Sequence, residues 1–524
     1  MKLARFRPAL IACACLALLL AGPSPARPEA PAPVRFRVEE FRVEGENPLS
    51  DRATRRMLAP FLGEHEGLAR IEEAARSLEQ ALHARGHVFR RVIVPPQKAR
   101  DGVFTLRVLA FPLQDVRVEG NDHFPEETVL AALPMLRPDT VPNTRSIARA
   151  LQLANEHPAR HQAVFIRESE EPGRIDARVE VRDARPHQAY AAFSNTGTPD
   201  SGRTRVSLGY QASNLFRRDH TATLSYTTCP DRLSDVQQYG VHYRAPFYRL
   251  GAALHLFYTR SEVDQGTIAE FFEVSGEGTF MGAGLDLVLT PVGDYRHKLF
   301  LEIQDRDFEN DVFFGRDPTP LVPDVRSRPV TLDYSGRLEG TWGEAGFHLG
   351  YARNLAHGAN NDPAAYALTR AGADPHWDAF RYGAHLHLNL PWRFELRGRL
   401  SGQAADEPLI PGEQFGLGGL RSIRGFEERE VSGDTCEEAH LELWSPTLGP
   451  GLRILGFLDK GRARLDAPIP GSPDKEHLSS LGLGLRWQWR RHLHLLVDGA
   501  YVTNGAADTA SGDERIHFSL FLRF

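Results

Sequence analysis

The chain has 524 residues, 41% of them hydrophobic and 25% charged, with a formal net charge of −6. These are ordinary globular proportions, and with so mild a charge nothing global points to nucleic acid. The one long apolar run stands at the very start, which excludes a bundle of membrane-spanning helices.

That run, ALIACACLALLLA at 9–21, follows Lys2, Arg5 and Arg7 and precedes the small residues Ser24-Pro25-Ala26. The pattern predicts a secretory signal peptide over residues 1–26. Cys13 follows Leu10-Ile11-Ala12, but most of the apolar run comes after it, so lipidation there is not favoured. Export leaves Cys229 and Cys436; one disulfide and two free thiols are equally compatible with the sequence.

Two similar stretches come next. FRVEGEN at 41–47 is echoed by VRVEGND at 116–122, and each is followed by a helical pattern. This predicts two α+β modules, at 35–111 and 112–184, each ordered strand, helix, helix, strand, strand. In the first, Leu68, Ile71, Ala75, Leu78 and Leu82 recur at helical spacing, and Gly86 follows as a cap. Strands are expected around Val88–Val94 and Phe104–Leu109. In the second, Asn143 can cap a helix carrying Ile147, Leu151 and Ala154, with strands at Val164–Arg167 and Ile175–Val181. The order, the VEG turn, the duplication and the export signal together resemble POTRA domains. The Val94–Gly102 stretch closely resembles the first such domain of two-partner secretion transporters.

From residue 187 to 524 the period changes to two. Leu481, Leu483, Leu485, Trp487 and Trp489 alternate with Gly482, Gly484, Arg486 and Gln488. Leu386, Leu388 and Leu390 oppose His385, His387 and Asn389, and Trp392, Phe394, Leu396 and Leu400 oppose Arg393, Glu395, Arg397 and Arg399. Such strands, about nine to twelve residues long, match what a tilted strand needs to cross a bilayer. A soluble sandwich would alternate too, but short connections (Phe216–His220, Pro391-Trp392, Leu448–Gly451, Arg490–His492) alternate here with long ones (Ser261–Gly278, Glu309–Arg328, Ala359–Asp378, Ala404–Thr435). That asymmetry belongs to outer-membrane barrels. The expected fold is therefore mainly β: two α+β modules followed by an antiparallel transmembrane barrel of about sixteen strands. The closing RIHFSLFLRF puts Ile516, Phe518, Leu520, Leu522 and Phe524 on one face, and the terminal Phe524 resembles an outer-membrane assembly signal.

The mature chain as a whole resembles the two-partner secretion transporters, also called TpsB or haemolysin-activation proteins. Their [VI]RG[YF] motif is matched by Ile423-Arg424-Gly425-Phe426 and their F-x-D-x-G motif by Phe457, Asp459 and Gly461. The resemblance implies that loop 404–435 folds into the lumen and that Arg424 meets Asp459. It also implies an outer-membrane location in a Gram-negative bacterium, with the POTRA domains in the periplasm. The partners it implies are a secreted TpsA-like adhesin or cytolysin, outer-membrane lipid and the barrel assembly machinery. Such transporters often begin with a plug helix. Residues 27–35 contain Pro28, Pro31 and Pro33, and no room for that helix is expected. Neither an enzyme nor a cofactor site is expected: there is no G-x-S-x-G, no H-E-x-x-H and no P-loop lysine. The pairs His385/His387 and His492/His494 are expected as lumen-facing histidines without metal. Two other readings stay open: an insertase that assembles barrels, and a passive porin.

Overall fold

The computed structural model describes residues 35–98, 101–199, 201–233, 236–262, 266–268, 272–274, 277–309, 323–468, 473–506 and 508–524. The expected signal peptide and residues 27–34 lie outside these. The chain forms two compact units. One runs to His83 and resumes over Arg90–Leu109; the other takes Ala84–Phe89 and Ala110–Phe524.

In the first unit, Glu40–Gly45, Val103–Ala110 and Arg90–Ile93 form a three-stranded sheet in that order. Helix Asp51–Leu58 starts where the Ser50 hydroxyl accepts from the Ala53 amide. The second helix, Ala69–His83, buries Ile71, Ala74, Ala75, Leu78 and Leu82. Leu68, expected on that face, precedes the helix and is 58% exposed. A further pair, Arg35–Val38 with Gly63–Glu66, was not expected. RFRV alternates, but over only four residues, and GEHE has no apolar residue to read.

The second unit opens with the same order. Leu113–Glu119, Ile175–Asp183 and Arg160–Glu168 form the sheet, with helices Glu126–Ala131 and Thr144–Ala154. Asn143 caps the latter by accepting from the amides of Arg145 and Ser146 at 2.9 and 3.2 Å. The repeated VEG now has a cause. Gly45 and Gly120 have φ of +90° and +81°, and a Cβ on either would lie 2.3 or 2.4 Å from a carbonyl oxygen, that of Val108 or Val181. Only glycine suits both the left-handed backbone and that approach.

Sixteen antiparallel strands then close on themselves. We number them β1 (His187–Ser194), β2 (Arg205–Leu215), β3 (His220–Thr228), β4 (Gln237–Phe247), β5 (Ala252–Ser261), β6 (Gly278–Val288), β7 (Tyr295–Phe308), β8 (Pro329–Gly340), β9 (Gly343–Asn354), β10 (Asp378–Asn389), β11 (Glu395–Ala404), β12 (Thr435–Trp444), β13 (Leu452–Arg464), β14 (Lys475–Trp489), β15 (Leu493–Asn504) and β16 (Glu514–Arg523). A short strand, Val325–Ser327, extends the pairing of β7 ahead of β8. Leu208, Leu256, Leu301, Leu332, Leu458 and Leu483 stay exposed on the outside, as a lipid-facing wall requires. β16 returns to β1 over Ser519–Arg523, and the Phe524 amide donates to the Ala189 carbonyl at 2.9 Å.

Two local expectations need correction. β11 begins at Glu395, so Trp392 and Arg393 lie in a tight turn at φ +57° and +65° rather than on the strand. His492 lies in the turn before β15, as the short connection Arg490–His492 anticipates, so it does not share a strand face with His494. Proline at 391 removes a ladder donor, and this ends the pairing where side-chain alternation alone would continue it.

The second module is bolted to the short-turn end of the barrel. Arg160 grips Asp219, in the turn between β2 and β3, with two hydrogen bonds of 2.9 and 2.5 Å. Both side chains are essentially inaccessible, and the Tyr248 hydroxyl also donates to Asp219 at 2.8 Å. Beside them Leu153 packs against Ala253 and Val288, and Arg149 donates to the carbonyls of Val288 and Leu250. The imidazole of His157 bonds the Ser213 carbonyl, and burial holds its pKa down at about 4.

Asp219→Asn keeps the shape and tolerates the φ of +60°, but strands a buried guanidinium. We expect it to weaken docking of the module by about 3 kcal/mol or more. Faster proteolysis within 112–184, with the barrel still folded, checks this. His157 is neutral when docked and takes up a proton when released. Docking is therefore at full strength above pH 6.5 and weakens as the pH falls from 6.5 towards about 4. The same proteolysis across that window measures it.

Candidate functional site: an arginine-tipped loop inside the barrel

The connection from β11 to β12 does not extend away from the barrel. Its sides form a short hairpin, Phe415–Leu417 with Val431–Gly433, where no strand was expected. Gly418 and Gly419 have φ of +111° and +106°, and a Cβ on Gly418 would lie 2.3 Å from the Glu427 carbonyl. These glycines thus allow the chain to double back inside a confined space. Leu417, Ile423, Phe426 and Val431 are buried against Cys436, Ala463, Leu478 and Val502, all of which face inward from the wall.

At the tip stands Arg424. Its Nε and Nη2 donate to the two oxygens of Asp459 on β13 at 2.7 and 2.9 Å, and its own amide adds a third bond at 3.2 Å. A planar guanidinium on a carboxylate in this two-pronged manner fixes orientation as well as charge. Nη1 reaches Glu442 on β12 at 2.8 Å and Asp498 on β15 at 3.2 Å. The guanidinium carbon lies 3.6 Å from the centre of the Phe457 ring, a cation–π contact made strong by burial. His440 on β12 holds the free flank of Asp459 at 3.0 Å, and Arg486 on β14 takes Asp498 at 2.5 and 2.9 Å. The Gly425 amide donates to His517 on β16 at 2.9 Å. One loop tip thereby ties together the last five strands.

Each motif residue has a place. Phe457 stacks, Asp459 binds, and Gly461 makes room: a Cβ there would stand 3.0 Å from Ile423 and 3.1 Å from Leu417. Gly425 has φ +100° and faces Val502 at 3.0 Å by the same measure. Phe426 is fully buried. Phe524, by contrast, lies far from this cluster in the sheet, at the closing edge beside β1, and is 70% exposed. His385 and His387 pair with Glu344 and Glu395 at 2.9 and 3.0 Å. Cys229 and Cys436 are both buried and unpaired.

The neck of the loop is held as firmly as its tip. Glu413 accepts from Arg306, Ser327 and Arg381. Asp434 takes Arg370 at 2.5 and 2.8 Å and the Leu409 amide at 2.8 Å. The opposite wall differs. There Gln188, Ser194, Ser207, Gln211 and Thr227 line a cavity of about 130 Å³ beside Leu420 and Arg421.

Sequence reasoning missed Glu442, Asp498, His440 and His517. A signal was present for Asp498, a lone acid in LLVDGAYV at an inward position of β15. The other three emerge only once the strand phase is known.

Gly461→Val should push Ile423 and Leu417 away and unseat the loop while leaving the sheet paired. We expect a larger single-channel conductance in planar bilayers and faster proteolysis between 404 and 435. Wild-type values for both would show that the loop does not depend on this seat.

The apolar outer belt, the charged lumen and the second module at the short-turn end define an outer-membrane β-barrel with periplasmic domains. Residues 173–487 match the family described as haemolysin secretion/activation protein ShlB/FhaC/HecB, and 36–110 match the POTRA domain of ShlB type. The chain belongs to that family of outer-membrane secretion proteins. It is 22% identical over 442 residues to the outer membrane transporter CdiB of Dickeya dadantii (strain 3937), spanning 81% of this chain and 76% of that one. Over 154 residues it is 29% identical to CdiB-2 of Burkholderia pseudomallei (strain 1026b), covering 29% and 26% of the two chains. The fold is similar to CdiB from Escherichia coli, with a TM-score of 0.75 at 17% identity over 96% of this chain and 93% of that one. CdiB from Acinetobacter baumannii gives 0.70 at 17% identity over 95% and 91%.

Proposed function

We propose that the protein exports one partner protein across the outer membrane by two-partner secretion, the partner being a large adhesin or cytolysin. The observation that carries this reading is the loop held inside the lumen by Arg424 and Asp459. A passive porin needs no such plug and no periplasmic modules. An assembly factor would share the barrel, but the family match favours a transporter.

In this reading the modules, at about 35–111 and 112–184, capture the unfolded partner. Each sheet leaves edge strands, Glu40–Gly45 and Arg90–Ile93 in the first module, Leu113–Glu119 and Arg160–Glu168 in the second. An extended chain can add to such an edge by backbone hydrogen bonds, without a fixed side-chain sequence. The partner then passes through the lumen once loop 404–435 has moved. Its folding outside supplies the drive, and Phe524 serves the barrel assembly machinery that inserts the protein into outer-membrane lipid.

Arg424→Ala removes every contact of the guanidinium and leaves Asp459 buried with only His440 and the backbone amide of residue 424, weakening the loop anchor by about 3–5 kcal/mol. We expect a folded, inserted barrel that no longer releases the partner into the medium, measured by co-expression with a candidate large secreted partner. Normal export by this variant would overturn the role of Arg424. Normal export after deletion of 36–183 would overturn the transporter reading itself.

A further inference from the structure

The joint between the second module and the barrel holds a hollow of about 410 Å³ with charge of one sign. Arg137 and Arg149 reach it from the module, and Arg249 reaches it from the turn between β4 and β5. No acidic residue lines it. Other arginines of this module hold a carboxylate: Arg117 has Asp115, Arg160 has Asp219, Arg174 has Asp139 and Arg178 has Glu180. Arg137, Arg149 and Arg249 have none within salt-bridge distance among the described residues. Asp139, only two residues from Arg137, is taken by Arg174 at 2.8 Å.

Three like charges around one hollow repel one another unless an opposite charge lies between them. Arg149 is fixed in place, since its Nε and Nη2 donate to the Val288 and Leu250 carbonyls at 2.7 and 2.5 Å. Gly251 leaves the space for it, because a Cβ there would overlap the guanidinium. Carbonyls orient a guanidinium but do not cancel its charge. Ser146 also lines the hollow, in the first turn of helix Thr144–Ala154, where the helix is positive and no acid stands. The surroundings set the kind of anion. The turn carrying Arg249 lies at the short-turn end, at the inner edge of the apolar belt. Its flanks, Phe247 and Leu250, stay exposed, and Phe247 shares the outward face of β4 with Tyr239 and Val241. On the paired strand Leu256 and Tyr258 continue that face.

We infer that this hollow binds the phosphodiester of an anionic phospholipid from the periplasmic leaflet. Arg137 of the module and Arg249 of the barrel share the phosphate, Arg149 stands behind it, and the acyl chains run along Phe247 and Leu256. A soluble anion has no use for the apolar face above, and a zwitterionic lipid brings a further cation to a site that already holds three. The lipid is a strap across the joint that Arg160 and Asp219 also hold.

The test is retention of phosphatidylglycerol by the detergent-solubilised full-length protein, measured by native mass spectrometry. Losing two basic groups at a membrane surface lowers affinity by about 30-fold. We expect that loss for the R137Q/R249Q double variant, and equally weak retention of phosphatidylcholine by the wild type. R185Q/R491Q removes the same charge from the connection before β1 and the turn before β15, outside the hollow, and should retain lipid like the wild type. Phosphatidylglycerol should also slow proteolysis within 112–184 in the wild type and not in R137Q/R249Q. Heat-modifiable gel mobility confirms that every variant remains a folded barrel. Equal retention by R137Q/R249Q and the wild type, an equal loss in R185Q/R491Q, or proteolysis that ignores the lipid overturns the inference. So does displacement of the lipid by equimolar inorganic phosphate or hexaglutamate, which would make the hollow a site for free anions or for an acidic chain.

Discussion

A bilayer offers no partner to a backbone amide, and the architecture of the barrel follows from that constraint. Every strand must find a neighbour on both sides, so the sheet closes, β16 on β1. Closure divides the side chains into an outer set that meets lipid and an inner set that meets water. The inner set can then hold charges that the outer set cannot. Asp459, Asp498, Glu442 and His440 are possible at mid-barrel only because alternation turns them inward.

Once such acids line the lumen, something must balance them, and the loop does so. Asp459 and Asp498 are essentially inaccessible, at 0% and 1% of side-chain exposure. A pair buried to this degree gains little net stability from its own attraction, because both partners give up water. Its value lies in specificity: few other loop positions satisfy two oxygens on β13, one on β12 and one on β15. The stacked Phe457 ring and the seats left by Gly461 and Gly425 add shape to that charge match. The tip is thus placed by charge, stacking and volume together, and the Glu413 and Asp434 clusters fix the neck independently.

Much of this was legible in the residues. Period-two alternation and the rhythm of short and long connections gave sixteen strands, because lipid imposes those patterns on each strand locally. The pairing of Arg424 with Asp459 was implied by two short motifs and a family resemblance, and not by spacing. Other features were hidden because they are three-dimensional. Leu153 lies off the face read from Ile147, Leu151 and Ala154, and it packs on the barrel turns rather than in its own module. The hairpin at Phe415 and Val431 has three residues a side, too few for any period. Glu442 became part of the site only when β12 and β13 were set in register. Trp392 misled because alternation of side chains persists through a turn whose backbone has already left the sheet.

The lumen has two unlike sides, and the difference bears on motion. On β12 to β16, acids and arginines lock to the loop in buried, directional pairs. On β1 to β3, the inner face carries Gln188, Ser194, Ser207, Gln211, Thr223 and Thr227 and no carboxylate, and its Arg205 is turned onto the carbonyls of Gly202 and Thr204 and the Ser201 hydroxyl. Hydroxyls and amides bond any backbone that passes, but each bond is weak and is replaced by an equivalent one a residue further on. Such a wall resembles a bearing surface, with many shallow wells and no deep one. A polypeptide in contact with this wall would meet no carboxylate to hold it.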